Sequence, residues 1–433
     1  MIMEKEKPYL FELYPGLEGK IPWISLLTNL PTKIDRLTEL EKEFDLEGGE
    51  IYVKRDDKNH QTYGGNKLRK FEFIFGKVLQ KKKKGVVTNG GIGTNHGLAC
   101  AIVCHQLNPP LKCTLYLVHQ PLTWHVQRSL LLFNHFGAKL HLGKGDISTF
   151  AKFLFFKLFH PKYFLMFPGG SPLFGIGSPL GTIGFVNAII ELKKQIDRKI
   201  IPEPDVIFIP GGSTGTSAGL IAGCKLMGLK TKIHVVAVYT SLTSNPSAVM
   251  KNANKAINYL RKNDKSIPNI KVSEDDFEFV SGYLGSSYGI KTIRGQAAID
   301  KVMELEGHRK NFKLETTYTG KSMAAMFNYL EKKENKYKKV LFWNTYNSND
   351  LDKFVKETNF DYKKLPKKFH KFYEEKIFQC WQFAECPTNI RVECPAYLNH
   401  EYRFWKITDC KLSKEKQAEI KEKLSKVIEL EDA

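Results

Sequence analysis

Several things are scarce in this 433-residue chain, and each scarcity closes off a class of protein. No apolar run reaches the roughly eighteen residues that a membrane helix needs, and the opening stretch Met1 to Leu10 carries too much charge for a secretory leader. A cytoplasmic protein without a membrane partner is expected. Acidic residues are in deficit, 46 Asp and Glu against 66 Lys and Arg, for a formal net charge of +20. Such a balance suits an anionic partner, yet the lysines come in scattered runs such as Lys81 to Lys84, and no nucleic-acid motif accompanies them. A lysine-rich surface is expected, with no nucleic-acid partner. Cysteine is sparse as well, eight in all. Cys100, Cys104, Cys113 and Cys224 fall within apolar segments, where a free thiol packs as a small hydrophobe. The other four, Cys380, Cys386, Cys394 and Cys410, crowd together near the end, and in a cytoplasmic chain that crowding suggests metal before disulfide.

What is present is organised around Gly64-Gly65-Asn66-Lys67-Leu68-Arg69-Lys70. Apolar residues at Leu68, Phe71, Ile74, Phe75, Val78 and Leu79 keep the spacing of a helix buried on one side. Lys67 therefore stands in a first helical turn, where the positive dipole end disfavours its charge and lowers its pKa. That suits an imine-forming lysine; the ordinary alternative is a solvated surface lysine. Ile51 to Lys54 reads as a strand leading into this turn.

Two further loops join strand to helix. Ile209-Pro210-Gly211-Gly212-Ser213-Thr214-Gly215-Thr216-Ser217 aims successive backbone N–H groups at an anion such as phosphate. It lacks the Lys-Ser/Thr pair of a Walker loop and the acidic ribose partner of a dinucleotide fold; a tight turn needing glycine is the plainer reading. Asn89-Gly90-Gly91-Ile92-Gly93-Thr94-Asn95-His96 places Thr94 and Asn95 at another helix start, either as caps or as a polar lip for a carboxylate and a cofactor hydroxyl. Strands near 86–87, 114–118, 139–142, 163–167, 206–209, 233–239 and 340–343 alternate with helices beginning near Asn95, Trp124, Ile147, Gly181, Ser217, Gln296 and Lys321. The fold class expected is α/β: two α/β units with a cleft between them, each a parallel sheet between helices.

An amine, a phosphate cradle without nucleotide features and such a cleft together suggest pyridoxal 5′-phosphate. Lys54-Arg55-Asp56-Asp57, the Lys67 turn, Gly91 to His96, the loop at 211–217 and Thr317-Tyr318-Thr319-Gly320-Lys321-Ser322-Met323-Ala324 stand in an order that resembles the 1-aminocyclopropane-1-carboxylate deaminase and D-cysteine desulfhydrase family of pyridoxal-phosphate enzymes, over about residues 20 to 345. The resemblance implies the tryptophan-synthase-β-like fold (fold type II) and a homodimer. It implies that Lys67 holds the cofactor aldehyde and then moves the substrate proton, and that Lys70, Ser213, Thr214, Gly215 and Thr216 hold the phosphate. Asn95 would meet the pyridine hydroxyl and Thr94 the substrate carboxylate or α-carbon, with Tyr288 and Tyr318 as active-site tyrosines. Thr319 falls where the family faces the ring nitrogen, with glutamate in the deaminases and threonine in the desulfhydrases. A hydroxyl leaves that nitrogen mostly neutral and the ring a weaker electron sink, which favours β-elimination from D-cysteine or a related amino acid over opening of a cyclopropane. Two departures stand out: Asn344-Thr345-Tyr346-Asn347 where the family has a glycine pair, and a longer loop at Pro172 to Pro179. A catalytically silent, cofactor-retaining sensor is the rival that the first departure leaves open.

By this reading residues 1–350 are catalytic, with a smaller subdomain at about 70–178, followed by a linker at 351–378, a cysteine-rich module at 379–411 and a charged helix at 412–433. The module resembles the bacterial two-Cys-Trp domain through Cys380-Trp381, Cys386-Pro387, Cys394-Pro395 and Trp405 before Cys410. Its spacings of 5, 7 and 15 intervening residues are not a tight zinc knuckle, so zinc or an iron–sulfur centre stands against free or redox-paired thiols.

Overall fold

The computed structural model describes residues 7–120, 122–171, 178–239, 244–285, 288–374 and 413–418. They divide into two compact units, one formed by residues up to 83 together with 167–349, the other by 84–166 together with the chain from 350 onward. Both are α/β, as the alternation implies.

The first unit has a six-stranded sheet. Its strands are β1 (Ile34–Arg36), β2 (Glu50–Lys54), β7 (Val206–Gly211), β8 (Lys232–Ala237), β9 (Phe277–Val280) and β10 (Lys339–Trp343), in the order β1-β2-β10-β7-β8-β9. Only β1 runs antiparallel to its neighbour. The central strands are buried on both faces: every residue of β7 is buried, and so are Val340 to Trp343 of β10, as a parallel sheet with both faces covered requires. The helix Asn66–Gln80 buries Leu68, Phe71, Phe75 and Val78 almost completely, worth roughly 1.5–3 kcal/mol per side chain, and packs against the helix Leu180–Asp197. That helix lies in turn against Gly215–Met227. The helix Pro246–Asn263, capped by the Asn245 side chain on the Ala248 N–H at 2.8 Å, belongs to the same layer.

The second unit is a four-stranded, all-parallel sheet of β3 (Gly85–Gly91), β4 (Lys112–Val118), β5 (Lys139–Leu142) and β6 (Tyr163–Leu165), ordered β5-β4-β3-β6. Helices Asn95–Gln106, Trp124–His135 and Asp146–Phe159 connect the strands. Residues 351–374, within the stretch expected to link domains, fold onto this unit through their aromatic side chains. Gln127 Nε2 donates to the Phe372 carbonyl and the Tyr373 hydroxyl donates to the Gln127 carbonyl, each at 2.6 Å, and the Phe136 and Phe354 rings meet at 5.2 Å. Cys380, Cys386, Cys394 and Cys410 lie outside the described residues, as does the loop at 172–177; of the terminal helix, 414–418 are described and are helical.

Candidate active site

The turn that carries Lys67 is shaped by its two glycines. Gly65 has φ +108°, a left-handed conformation that L side chains resist, and a Cβ on Gly64 would stand 1.8 Å from the Asp57 carbonyl oxygen. The segment Asn344 to Asn347, read as a departure from the family pattern, holds this turn in place. Asn347 Oδ1 accepts the Gly64 N–H at 2.7 Å, and the Thr345 carbonyl accepts the Asn66 N–H at 3.2 Å. Beneath the turn is a closed network of buried ions. Arg69 donates to both Asp56 (2.7 Å) and Glu191 (2.9 Å), Lys54 reaches Glu191 at 2.6 Å, and the Trp343 indole donates to Asp56 at 2.7 Å. Two cations and two carboxylates balance, which is what makes such a buried cluster tolerable.

Lys67 itself keeps some accessible surface, but its amine is closely surrounded. Burial lowers its pKa to about 8, against an opposing pull from the Glu315 carboxylate. The cause is therefore desolvation, whereas the sequence pointed to the helix end. Lys70, one turn on, is fully buried. Its ammonium donates to the Gly169 carbonyl at 2.9 Å and to Ser171 Oγ at 3.0 Å; among the described residues it has no carboxylate partner. Burial, reinforced by the nearby Lys67 charge, pushes its pKa well down, so the site favours an incoming anion.

The loop expected to hold phosphate converges on the same lysines. Ser213 Oγ lies 3.2 Å from Ser171 Oγ, and Asn66 Nδ2 donates to Thr216 Oγ1 at 3.1 Å. Thr214 is left-handed (φ +57°), held by Asn252 Nδ2 on its hydroxyl at 2.8 Å. A Cβ on Gly215 would stand 3.3 Å from Lys70 Nζ and 2.1 Å from Ser171 Oγ, so only glycine leaves this cradle open. The ring of Tyr318 lies along Gly212, and its hydroxyl hydrogen-bonds the Tyr288 hydroxyl. Burial raises the Tyr288 phenol to about 12 and pushes the Tyr318 phenol well above its ordinary value, so both stay protonated at neutral pH. Lys67, Lys70, Ser213 to Thr216, Tyr288, Tyr318 and Thr319 all belong to the first unit.

Thr94 and Asn95 belong to the second unit. Thr94 is a cap there, accepting the Gly97 N–H at 3.3 Å, and Asn95 is the first residue of its helix. Their loop is braced by Gln120 Oε1, which accepts the Gly93 N–H at 3.2 Å, and by His125 Nε2 at 3.0 Å from the Gly93 carbonyl. Burial lowers His125 to about 4, so that ring is neutral.

Sequence reasoning missed Glu315. Its carboxylate accepts the N–H groups of Thr317, Tyr318 and Thr319, each at 2.8 Å, while the Thr319 hydroxyl accepts the Glu315 N–H at 2.8 Å. An acidic residue four positions before the start of the helix Thr319–Leu330 was the available signal.

An amine that burial has shifted toward neutral pKa, near a glycine and hydroxyl loop that could take an anion, is the arrangement expected of enzymes that hold pyridoxal phosphate on a lysine. Comparison with known proteins gives the family: residues 26–345 match the pyridoxal-phosphate dependent enzymes, and the chain belongs to that family. It is 29% identical over 311 residues to D-cysteine desulfhydrase of Serratia proteamaculans, covering 69% of this chain and 86% of that one. It is 28% identical over 321 residues to a Thermotoga maritima protein named for 1-aminocyclopropane-1-carboxylate deaminase, covering 73% and 93%. The crystal structure of an ACC deaminase homologue superposes with a TM-score of 0.62 at 25% identity, over 79% of this chain and 95% of that one. A hydrogen sulfide-producing enzyme from Fusobacterium nucleatum, 15% identical with a TM-score of 0.50 over 74% of this chain and 96% of that one, shares the fold. Among the described residues, no helix is long and apolar enough to cross a membrane.

Proposed function

We propose that the protein is a pyridoxal-phosphate lyase that eliminates the β-substituent and ammonia from D-cysteine or a related small amino acid, leaving a 2-keto acid. The observation that carries this reading is Lys67, whose amine burial has brought to about 8, one helical turn from Lys70, a buried amine with no carboxylate partner among the described residues, whose charge an incoming anion would restore. When bound, the cofactor supplies an electron sink for the bonds at the substrate α-carbon.

The chain's own residues do the rest. The Lys67 nitrogen holds the cofactor covalently, and its pKa suits it to take a proton from the α-carbon and return it near neutral pH. Lys70 and the cradle Ser213 to Thr216 hold the phosphate. The family resemblance implies that Asn95 would meet the pyridine hydroxyl and Thr94 the substrate carboxylate. Tyr318 and Tyr288, protonated and hydrogen-bonded to one another, orient substrate and can donate to a departing group. Thr319 offers the ring nitrogen a hydroxyl where glutamate would hold it protonated, and this supports β-elimination over the opening of 1-aminocyclopropane-1-carboxylate. The enzyme works in the cytoplasm as a homodimer, without nucleic-acid or membrane partners. A zinc or iron–sulfur centre at Cys380, Cys386, Cys394 and Cys410 remains part of this proposal; metal content of wild type against Cys380→Ser and Cys394→Ser tests it.

Keto-acid release from a panel of D- and L-amino acids and 1-aminocyclopropane-1-carboxylate tests the activity. Release from D-cysteine or a β-substituted relative is expected. Turnover of the cyclopropane substrate alone would overturn the elimination reading, and no turnover at full cofactor loading would make the protein a silent cofactor-retaining sensor.

A further inference from the structure

The second unit contains three thiols that the proposed chemistry does not use. Cys100 and Cys104 are one turn apart on the helix Asn95–Gln106, so their side chains leave the same face. Cys113 stands on β4, beside Val86 of β3. All three are free thiols and buried, none more than 3% exposed. Cys113 Sγ is 3.9 Å from Cys100 Sγ, and the three sulfurs fall within 4.8 Å of one another.

We propose that this triad binds a soft monovalent ion of the copper(I) class. Metal–thiolate bonds of about 2.3 Å arranged in a trigonal plane hold sulfurs about 4.0 Å apart, and the Cys100 to Cys113 separation already matches that spacing. The donor set is all sulfur; among the described residues no His, Asp or Glu joins it, which leaves nothing for a hard, oxygen-seeking cation. A closed zinc site takes four ligands, one more than the triad supplies, whereas copper(I) is satisfied by two or three soft sulfurs. Binding is an exchange without oxidation: Cu⁺ + 3 RSH → [Cu(SR)₂(HSR)]⁻ + 2 H⁺. Two S–H bonds break, two copper–thiolate bonds and one copper–thiol bond form, and both protons pass to solvent. Keeping the third sulfur protonated limits the buried charge to one unit, as an apolar surround demands.

The test uses the whole, reduced, cofactor-loaded protein with chelator-buffered copper(I) under anaerobic conditions. Alkylation is then followed cysteine by cysteine through mass spectrometry of the peptides. One equivalent of copper should slow alkylation of Cys100, Cys104 and Cys113 tenfold or more, leave buried Cys224 unchanged, and be bound in one equivalent less by the C100A/C104A/C113A variant. Copper that shields only Cys380, Cys386, Cys394 and Cys410 overturns the proposal, as does equal uptake by wild type and variant. Equal or stronger shielding of the triad by Zn²⁺ overturns the choice of ion. Should the triple variant fail to fold, the peptide-resolved rates of the wild type decide alone.

Discussion

The two units share the βα alternation but treat charge in opposite ways. Every buried Lys, Arg, Asp and Glu among the described residues lies in the first: Asp35, Lys54, Arg55, Asp56, Asp57, Arg69, Lys70, Glu72, Glu191, Asp300, Glu306 and Lys321. The second buries only uncharged polar groups such as Thr88, Thr114, Gln127 and Ser129, along with His96 and its three clustered thiols. Burying ions costs stability unless they are paired, so a unit that concentrates them accepts that cost in return for fixed charges at chosen points. Pairing is not complete even there: among the described residues Lys70 and Lys321 donate to no carboxylate, and Glu72 and Glu306 are held by backbone N–H groups rather than by a cation. The lesson is that the chemistry resides where the electrostatic cost was accepted, and the predictions below probe that division.

The largest effect belongs to the amine. Lys67→Ala should abolish covalent cofactor attachment and reduce keto-acid release by about a thousandfold or more, with circular dichroism unchanged. In the wild type, the rate at which cofactor-free protein takes up pyridoxal phosphate covalently should rise with pH around a midpoint near 8, since only the neutral amine attacks and burial sets that value. A midpoint near the ordinary lysine value would show an amine open to water, and the contrast between the units would lose its functional meaning.

Next comes a contrast between the cores. Arg69→Met keeps most of the volume but leaves Asp56 and Glu191 without their guanidinium, and should cost about 3–5 kcal/mol in denaturant unfolding. Leu130→Met in the apolar core of the second unit should cost less than about 1.5 kcal/mol. Equal costs would mean that the buried network is incidental.

That network also marks the limit of what the sequence makes legible. The Lys67 turn, the loop at 211–217 and strand β5 at Lys139–Leu142 are local patterns, readable from glycine placement and apolar spacing, and the structure has them as elements at those positions. The pairing of Arg69 with Glu191 spans 122 residues, and nothing local to Glu191 distinguishes it from a surface glutamate on an amphipathic helix. The edge strands Ile34–Arg36 and Phe277–Val280 are too short for a period-2 signal. The helix Pro246–Asn263 was missed although its local signal was present, Asn245 as cap and Pro246 in the first turn. The glycines lost at Asn344 to Asn347 were visible as a departure, but that the Asn347 side chain would accept a hydrogen bond from the Lys67 turn depends on a contact between residues 283 positions apart.

Gly64→Ala probes that turn with a smaller perturbation. The added methyl would meet the Asp57 carbonyl at 1.8 Å, and the backbone must move, at about 1–3 kcal/mol. Because the displaced turn carries Lys67, cofactor affinity should fall with stability. A stability loss with unchanged affinity would show that the turn serves folding alone.

The smallest effect concerns Glu72, on the buried face of the Lys67 helix, whose carboxylate accepts the Leu26 and Leu27 N–H groups at 3.0 and 3.2 Å. Burial raises its pKa to about 7 in the folded protein, from an ordinary 4.5. Between those values the folded state binds more protons than the unfolded chain, so this carboxyl's contribution is fully present below about pH 4.5 and is lost as pH rises through 7. Each pKa unit is worth about 1.4 kcal/mol, and water drawn to the ionised group recovers part of it, leaving an effect on the order of 1–2 kcal/mol. Glu72→Gln stands in for the protonated acid and keeps an acceptor for both N–H groups. Unfolding free energies measured at pH 5 and pH 8 should therefore show the variant gaining on the wild type as pH rises. Glu191, whose pKa is lowered by Arg69 and Lys54, shifts the wild type and the variant alike and cancels in that difference. A difference that does not change with pH would mean that Glu72 titrates as an exposed carboxyl, and that the first unit admits water where the network implies it is sealed.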